Sequence, residues 1–590
     1  MKDLQESDIN LDPVTAEVLR GSFVAIVGEM KSNLMRTAYN QIIYEAQDFT
    51  VGIFDADGDT ISVGLGLPMF MGGLSRAVKA KIAHYGLDGL EPGDVLLTND
   101  AYIMGSHLNH MICTMPVFVD GQVVAFVSSM AHWLDVGGVI GGTTTDIYSE
   151  GIQLPIVKIY KAGVADDELL RLITLNVRFP DAALGDLRAQ VAAARTGESR
   201  MGDLTRRYGQ DTVRAAVAQM FSASEAQARA AVAQIADGVY SAHAAMDDDG
   251  VTGAAVPLTV RVVVEGDQMT VDLTEVGAEV SGYFNSGEAA GISAAQVAFK
   301  SLTSPQDPIN EGTLRAVAVT LPPGSVLSAQ RPRAMRWWMT YPMTVIDCVF
   351  KALAPALPTG TIAGHHADLA ITTVIGADPS TGRMTMLMPG PQGGGWGATR
   401  DKDGENATIC INDGDTHNVP IEIVESRNPG VLAVTYALRQ DSGGPGRRRG
   451  GLGTRQEWVL AASGRLNSFI ERTRHAPWGM EGGGDALPNR VSLIRSDGTS
   501  PSFTNGKLDL EPVAAGDRLV VETGGGGGYG PAIERPLADV LADVEDGLVS
   551  HEHARAAYRV DVSRDSSSGE LRGVRAPADR LNDGWRESDR

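Results

Sequence analysis

Apolar residues recur at helical spacing from just after Pro13, in "VTAEVLRGSFVAIVGEMKSNLMRTAYN". They predict a long amphipathic helix whose second face is left to the rest of its domain or to a partner. The period then changes. "FTVGIFDADGDTISVG" alternates and turns at Asp57-Gly58, which is a hairpin signature, and further β signal comes at Val95 to Leu97, Ile112 to Val119 and Gln122 to Met130. Residues 1–180 therefore read as one mixed α/β unit. The Ala-rich, charge-laced pattern over 181–250 reads as two or more helices closed by "DDDG". Residues 251–530 open on a hairpin around Gly266-Asp267 and continue as a β-rich stretch full of glycine turns. A short helical segment is expected over 531–561, and 562–590 is polar without apolar period, the pattern of a disordered tail. The fold class expected is α+β: a large protein of several subdomains with a mixed N-terminal unit, a helical middle and a β-rich, glycine-rich second half.

Composition narrows the partners. The 590 residues exceed one hydrophobic core, and 43% apolar with 21% charged residues is ordinary for a globular protein. A formal charge of −23 with no long Lys/Arg block argues against nucleic acid and anionic lipid. The start "MKDLQESDIN" is polar where a secretory signal needs an apolar core, and no later run approaches bilayer length, so a cytoplasmic protein is expected. Cys113, Cys348 and Cys410 are odd in number and far apart, which suits reduced core thiols better than disulfides or a thiolate metal site.

The glycine clusters match no nucleotide fingerprint. "GGGGGYGP" at 524–531 follows a strand but has neither a GK[ST] nor a helix start, so tight turns and close backbone approach are its plainer reading. Arg447, Arg448 and Arg449 suit a salt-bridge cluster or solvated face better than an anion site.

Chemistry concentrates in "NDAYIMGSHLNHMICTMPVFVDGQVVAFVSSMAHWLDVGG", which carries His107, His110 and His132 of the chain's eleven histidines. With Asp120-Gly121 as a two-residue turn, Val119 pairs with Gln122, and counting back places His132 opposite Asn109. His107 then lies two positions away on the same face, while strict alternation sends His110 to the other face unless the chain leaves extended geometry there. Three imidazoles suit Zn²⁺, and also Mn²⁺ or Fe²⁺, with a position left open for water. Ordinary histidines satisfying local backbone groups fit the same spacing. Asp100 and Asp135 could orient the imidazoles or complete the coordination, or could equally form turns.

Six separated stretches carry a resemblance: "RTAYNQIIYEAQDFTVGIFDADGD", "NDAYIMGSHLNH", "PVFVDGQVVAFVSSMAHWLDVGG", "DSGGPGRRRGGLG", "PWGMEGGG" and "GGGGGYGPAIERPLADVLADVEDGLVS". Together, from about residue 11 to residue 561, the chain resembles the hydantoinase B/oxoprolinase family. The resemblance implies a partner, a hydantoinase A type ATPase subunit that binds ATP and Mg²⁺ and phosphorylates the substrate, in a heterotetramer or larger heteromer. It implies ATP-dependent opening of a small cyclic amide such as a hydantoin, 5-oxoproline or lactam, or alternatively ATP-dependent carboxylation of a ketone such as acetone or acetophenone. Its metal motif, His-x-x-Asp with a downstream Ala-His, falls on His107, position 110 and His132. His110 stands where many relatives have aspartate, so one negative charge is lost. The resemblance also assigns Asp48 a catalytic place near the reacting group. At "PMFMGGL" Phe70 or Met71 replaces a histidine common in relatives, which implies a more apolar pocket wall.

Overall fold

The computed structural model describes residues 11–575 apart from 358, 379–380, 383, 414–415, 429–430 and 567–568. The N-terminal decapeptide and residues 576–590 of the expected tail lie outside the described residues. The chain forms two compact units, Met1–Leu357 with Ile411–His417, and Pro358–Cys410 with Asn418–Arg590.

The first unit is built on a seven-stranded sheet: β1 Phe49–Asp55, β2 Thr60–Leu65, β3 Val95–Thr98, β4 His110–Val119, β5 Gln122–His132, β6 Val157–Lys161 and β7 Val164–Ala165, in the order β2-β1-β5-β4-β3-β6-β7. Neighbouring strands are antiparallel throughout. The expected long helix is present as α1, Pro13–Thr37, capped by Asp12, whose side chain accepts from the Thr15 N–H. Its buried stripe Leu19, Phe23, Ile26, Val27, Met30 and Leu34 joins the helix Pro180–Tyr208 over one face of the sheet. That face carries the odd-numbered residues of the central strands, such as Val51, Ile53, Met111, Cys113, Met115 and Val127.

The even-numbered residues face the other way, beneath the helix Gly73–Tyr85. There the Lys81 ammonium donates to the carbonyls of Leu96 and Ile112 and to the Thr114 hydroxyl at 3.1, 2.8 and 2.8 Å. Both faces being covered explains why β4 is buried at nearly every position, polar Thr114 included. The helical middle belongs to this unit because Pro180–Tyr208 packs on the sheet, and the part of it at Gly238–Met246 is β8, a strand. With β9 Val256–Glu265, β10 Gln268–Asp272 and β11 Val317–Thr320 it forms a second sheet in the order β11-β10-β9-β8. The helix Thr340–Leu353 packs on β8 and β9.

The second unit holds two four-stranded sheets: β13-β12-β16-β18 and β14-β15-β19-β17. The strands are β12 Thr372–Ala377, β13 Met384–Leu387, β14 Val431–Leu438, β15 Thr454–Leu460, β16 Gly464–Phe469, β17 Arg490–Ile494, β18 Lys507–Val513 and β19 Arg518–Glu522. They share a core around Trp458, Leu466, Leu493 and Leu519.

Its glycine-rich segments are more than turns. They run side by side and exchange backbone hydrogen bonds: Gly395 to Gly524, Gly444 to Gly526, Gly526 to Gly451, Gly527 to Gly364 and Gly528 to Gly484, at 2.8–3.0 Å. A Cβ on Gly526 would collide with the Trp396 carbonyl oxygen, so only glycine permits this spacing. Arg449 pairs with Asp543 and Arg447 with Glu534, the salt-bridge reading of that run.

The expectation of a structureless tail from 562 needs correction. β20 Val560–Arg564 and β21 Leu571–Arg575 form an antiparallel hairpin. Val562 and Leu571 are apolar enough to lean on the small core of Val540, Val544, Val549, Ala554, Tyr558 and Val560. Among the described residues no helix is long and apolar enough to cross a membrane.

Candidate metal centre

The β4–β5 hairpin turns at Asp120-Gly121 with positive φ at both positions, as a type I′ turn requires, and Val119 pairs with Gln122 as expected. The register then departs from the simple count. Phe118 faces Val123 but Val117 faces Ala125, so Val124 is an extra residue in β5, a β-bulge. From there to the end of the hairpin every pairing is moved on by one, and His132 faces His110 rather than Asn109. The bulge thus removes the difficulty that alternation posed for His110. Asn109 instead exchanges bonds with Trp133, accepting from its N–H and donating to its carbonyl, both at 2.8 Å.

On its other side β5 pairs with β1. Phe49 faces Ala131, and the His132 N–H donates to the Asp48 carbonyl at 3.1 Å. Asp48, His132 and His110 consequently form one row across three adjacent strands, on one face. His107 enters from the turn before β4, whose closing bond runs from the His110 N–H to the His107 carbonyl.

The side chains meet there. His107 Nε2 lies 3.0 Å from His110 Nε2, and His110 Nε2 lies 3.1 Å from Asp48 Oδ1. One ligand atom from each of Asp48, His107 and His110 falls within 4.8 Å of the others. His132 is not part of that trio, but its ring packs 4.7 Å from that of His107 and 5.5 Å from that of His110, between centroids. Its Nδ1 is buried and has no hydrogen-bond partner among the described residues.

The outer nitrogens are held differently from the sequence expectation. His107 Nδ1 is 3.1 Å from the Arg336 carbonyl oxygen, and His110 Nδ1 is 2.7 Å from the Ser106 hydroxyl. Because a carbonyl only accepts, His107 carries its proton on Nδ1 and leaves a lone pair on Nε2. Asp100 and Asp135 do not serve the imidazoles. Asp100 caps the short helix Ala101–Met104 and pairs with Arg331, and Asp135 pairs with Arg178, so both are turn and loop residues.

Electrostatics favour a cation at the centre. Burial, with repulsion from His110 and His132, holds His107 well below the usual imidazole range. Burial pulls His132 down to about 4, with repulsion from His110 assisting and attraction to Asp48 resisting. Burial works to raise the Asp48 carboxyl, but the charge and hydrogen bond of His110 outweigh it and hold the group ionised. Imidazole nitrogens and a carboxylate oxygen that converge in a buried place need a proton or a metal ion among them, because lone pairs facing one another repel. The nitrogen and oxygen set, together with the unpartnered His132 Nδ1, fits a divalent ion of the first transition row.

Sequence reasoning missed several neighbours. Trp338 lies over both His107 and His110, at 6.4 and 6.0 Å between ring centroids. Phe70, one of the two residues expected to make an apolar wall, meets the His110 ring edge-on at 4.9 Å and Trp338 at 5.7 Å. The short helix bearing Phe70 packs against Ile411–Asp413. Burial and the Asp48 charge push the Asp413 carboxyl well above its ordinary value, while Asn412 donates to it at 2.8 Å.

The profile of the hydantoinase B/oxoprolinase family matches residues 12–532. The caprolactamase β subunit of Pseudomonas jessenii is 33% identical over 571 residues, 94% of this chain and 96% of its own. The crystal structure of the ATP-dependent caprolactamase from that organism superposes with a TM-score of 0.87 at 31% identity, over 94% of this chain and 97% of the other. A nucleotide-free acetone carboxylase superposes equally well, TM-score 0.87 over 95% of this chain and 81% of the other, but at 16% identity, a likeness of fold alone.

Proposed function

The chain belongs to the hydantoinase B/oxoprolinase family, and from that membership we propose that it is the B-type subunit of an ATP-dependent cyclic amide hydrolase. The observation that carries this reading is the convergence of Asp48, His107 and His110, with His132 beside them, in a chain one-third identical to a caprolactamase subunit. An A-type ATPase subunit binds ATP and Mg²⁺ and phosphorylates the amide oxygen, and this chain opens the ring, within a heterotetramer or larger heteromer. The cytoplasm supplies the ATP and keeps the three buried thiols reduced.

His107, His110 and His132 would hold the metal ion, Zn²⁺ first and Mn²⁺ or Fe²⁺ as alternatives, with Asp48 beside it. Such an ion supplies Lewis acidity, acidifying water and polarising an oxygen of the substrate. The Arg336 carbonyl and Ser106 hydroxyl orient the two imidazoles so that their inner nitrogens face the same point. Phe70 and Trp338 cover that point with apolar surface, keep out bulk water and suit an unsubstituted lactam ring. Asp48, ionised and in reach of His110, takes the proton of the attacking water. As the carbon–nitrogen bond breaks the ring nitrogen takes up the proton that Asp48 removed, leaving an acyl phosphate, and a second water hydrolyses this to the carboxylate and inorganic phosphate.

The test is co-expression with the A-type ATPase subunit and measurement of phosphate release with lactams, hydantoins, 5-oxoproline and ketones, with and without bicarbonate. Phosphate release coupled to ring opening of a cyclic amide supports the reading. ATP consumption only with a ketone and bicarbonate replaces it with carboxylation.

A further inference from the structure

The carbonyl that aims His107 is itself held from behind. His107 Nδ1 donates to the Arg336 carbonyl oxygen at 3.1 Å, and the two backbone N–H groups preceding that carbonyl, of Met335 and Arg336, donate to the Glu150 carboxylate at 3.1 and 2.9 Å. The Thr144 hydroxyl donates to the same carboxylate at 2.7 Å. Glu150 is only 7% exposed and burial pushes its carboxyl up to about 7, against which all of these partners work as donors, the set that the acceptor-only carboxylate form takes. A buried charge is tolerated when it is hydrogen-bonded and compensated. Compensation comes from Arg336, whose guanidinium donates to Ile140 and Gly142 carbonyls at 2.8 and 3.2 Å, on the loop that leads into Glu150. Glu150 and Arg336 therefore lock two segments together in both directions, with the His107 acceptor at their junction.

We infer that Glu150 is a positioning residue of the metal centre: by clamping the Met335–Arg336 backbone it holds the carbonyl that fixes the tautomer and rotation of His107, so that Nε2 faces the cation. The inference rests on His107 being a ligand. Glu150 touches neither His107 nor the reacting groups, and its effect reaches the site through one carbonyl. Removing it frees that carbonyl to move and loosens the imidazole, which lowers metal affinity before it alters the fold.

The test uses the full chain with Co²⁺ as probe, read by its visible absorption and by competition with a chromophoric chelator. Glu150→Ala is expected to weaken Co²⁺ binding about 10- to 100-fold and to shift the absorption bands. Glu150→Gln keeps one acceptor oxygen and should recover part of that loss. Thr144→Val removes a single bond to the carboxylate and should move affinity in the same direction by less, which keeps the test available where Glu150→Ala folds poorly. Wild type that binds Co²⁺ while all three variants bind as tightly, with unchanged bands, overturns the role of Glu150 alone. Wild type that takes up no Co²⁺ overturns the metal reading and this inference with it.

Discussion

His110 faces His132 directly across β4 and β5 because β5 carries one residue, Val124, more than the hairpin count allows. The Asp48 row on β1 continues the same line, so three strands deliver three candidate ligands and the turn before β4 delivers the fourth. The bulge therefore decides which side chains these strands bring together.

Loss of one imidazole should be felt mainly in metal retention. His107→Ala removes the proposed ligand nitrogen, 3.0 Å from His110 Nε2, and should lower bound metal to well under one equivalent, measured by elemental analysis of the purified chain. His132→Ala should do the same. Stoichiometric metal in both variants contradicts their assignment as ligands.

Restoring the carboxylate that many relatives carry is expected to be tolerated. His110→Asp adds one negative charge beside Asp48, which should tighten binding of a hard divalent ion and raise the pKa of any water acidified there. The acidic limb of the rate profile of the co-expressed complex should move to higher pH. An unmoved limb with unchanged metal affinity counts against His110 contributing to the centre.

How far the sequence could foresee this site depends on what each residue's neighbours in sequence reveal. Periodicity located α1 and the hairpins, because those follow from local repeat and turn chemistry, whereas the count that put His107 and His132 on one face set His132 opposite Asn109, one residue off. Val124 left no mark: a bulge in an apolar strand changes the register without changing the pattern. Trp338 and Asn412–Asp413 come from far along the chain, and no local signal connects them to His110. The tail hairpin was missed because Val562 and Leu571 are isolated apolar residues in a polar stretch, and their core is supplied by other segments. The plainer reading of the glycine runs, close backbone approach, was right in kind, but their mutual hydrogen bonding is a tertiary fact.

Lys81 gives the stability of the first unit a pH dependence of definite sign. Burial pushes its ammonium from 10.5 down to about 7. Below pH 7 the folded chain holds a charge it would lose more readily than the unfolded chain, a penalty of the order of 5 kcal/mol. The penalty fades as pH rises from about 7 towards 10.5, so this group makes stability increase through that window. Lys81→Met should flatten the increase in denaturant titrations across that range. An unchanged slope contradicts the assignment.

Gly526→Ala should destabilise the second unit by at least about 3 kcal/mol, because its Cβ meets the Trp396 carbonyl and the neighbouring glycine backbones cannot retreat without losing their hydrogen bonds. A thermal melt reads this as a lowered transition. Gly86→Ala, where a Cβ meets nothing but φ is +65°, should cost only the smaller backbone strain.

The most direct test of the whole account is ring opening of a lactam by the complex with its ATPase partner, before and after metal is stripped by a chelator and then restored. The account predicts that amino acid formation is lost on stripping and returns with one divalent ion per chain, and that it does not return in His107→Ala. Undiminished ring opening by the metal-free complex would contradict it.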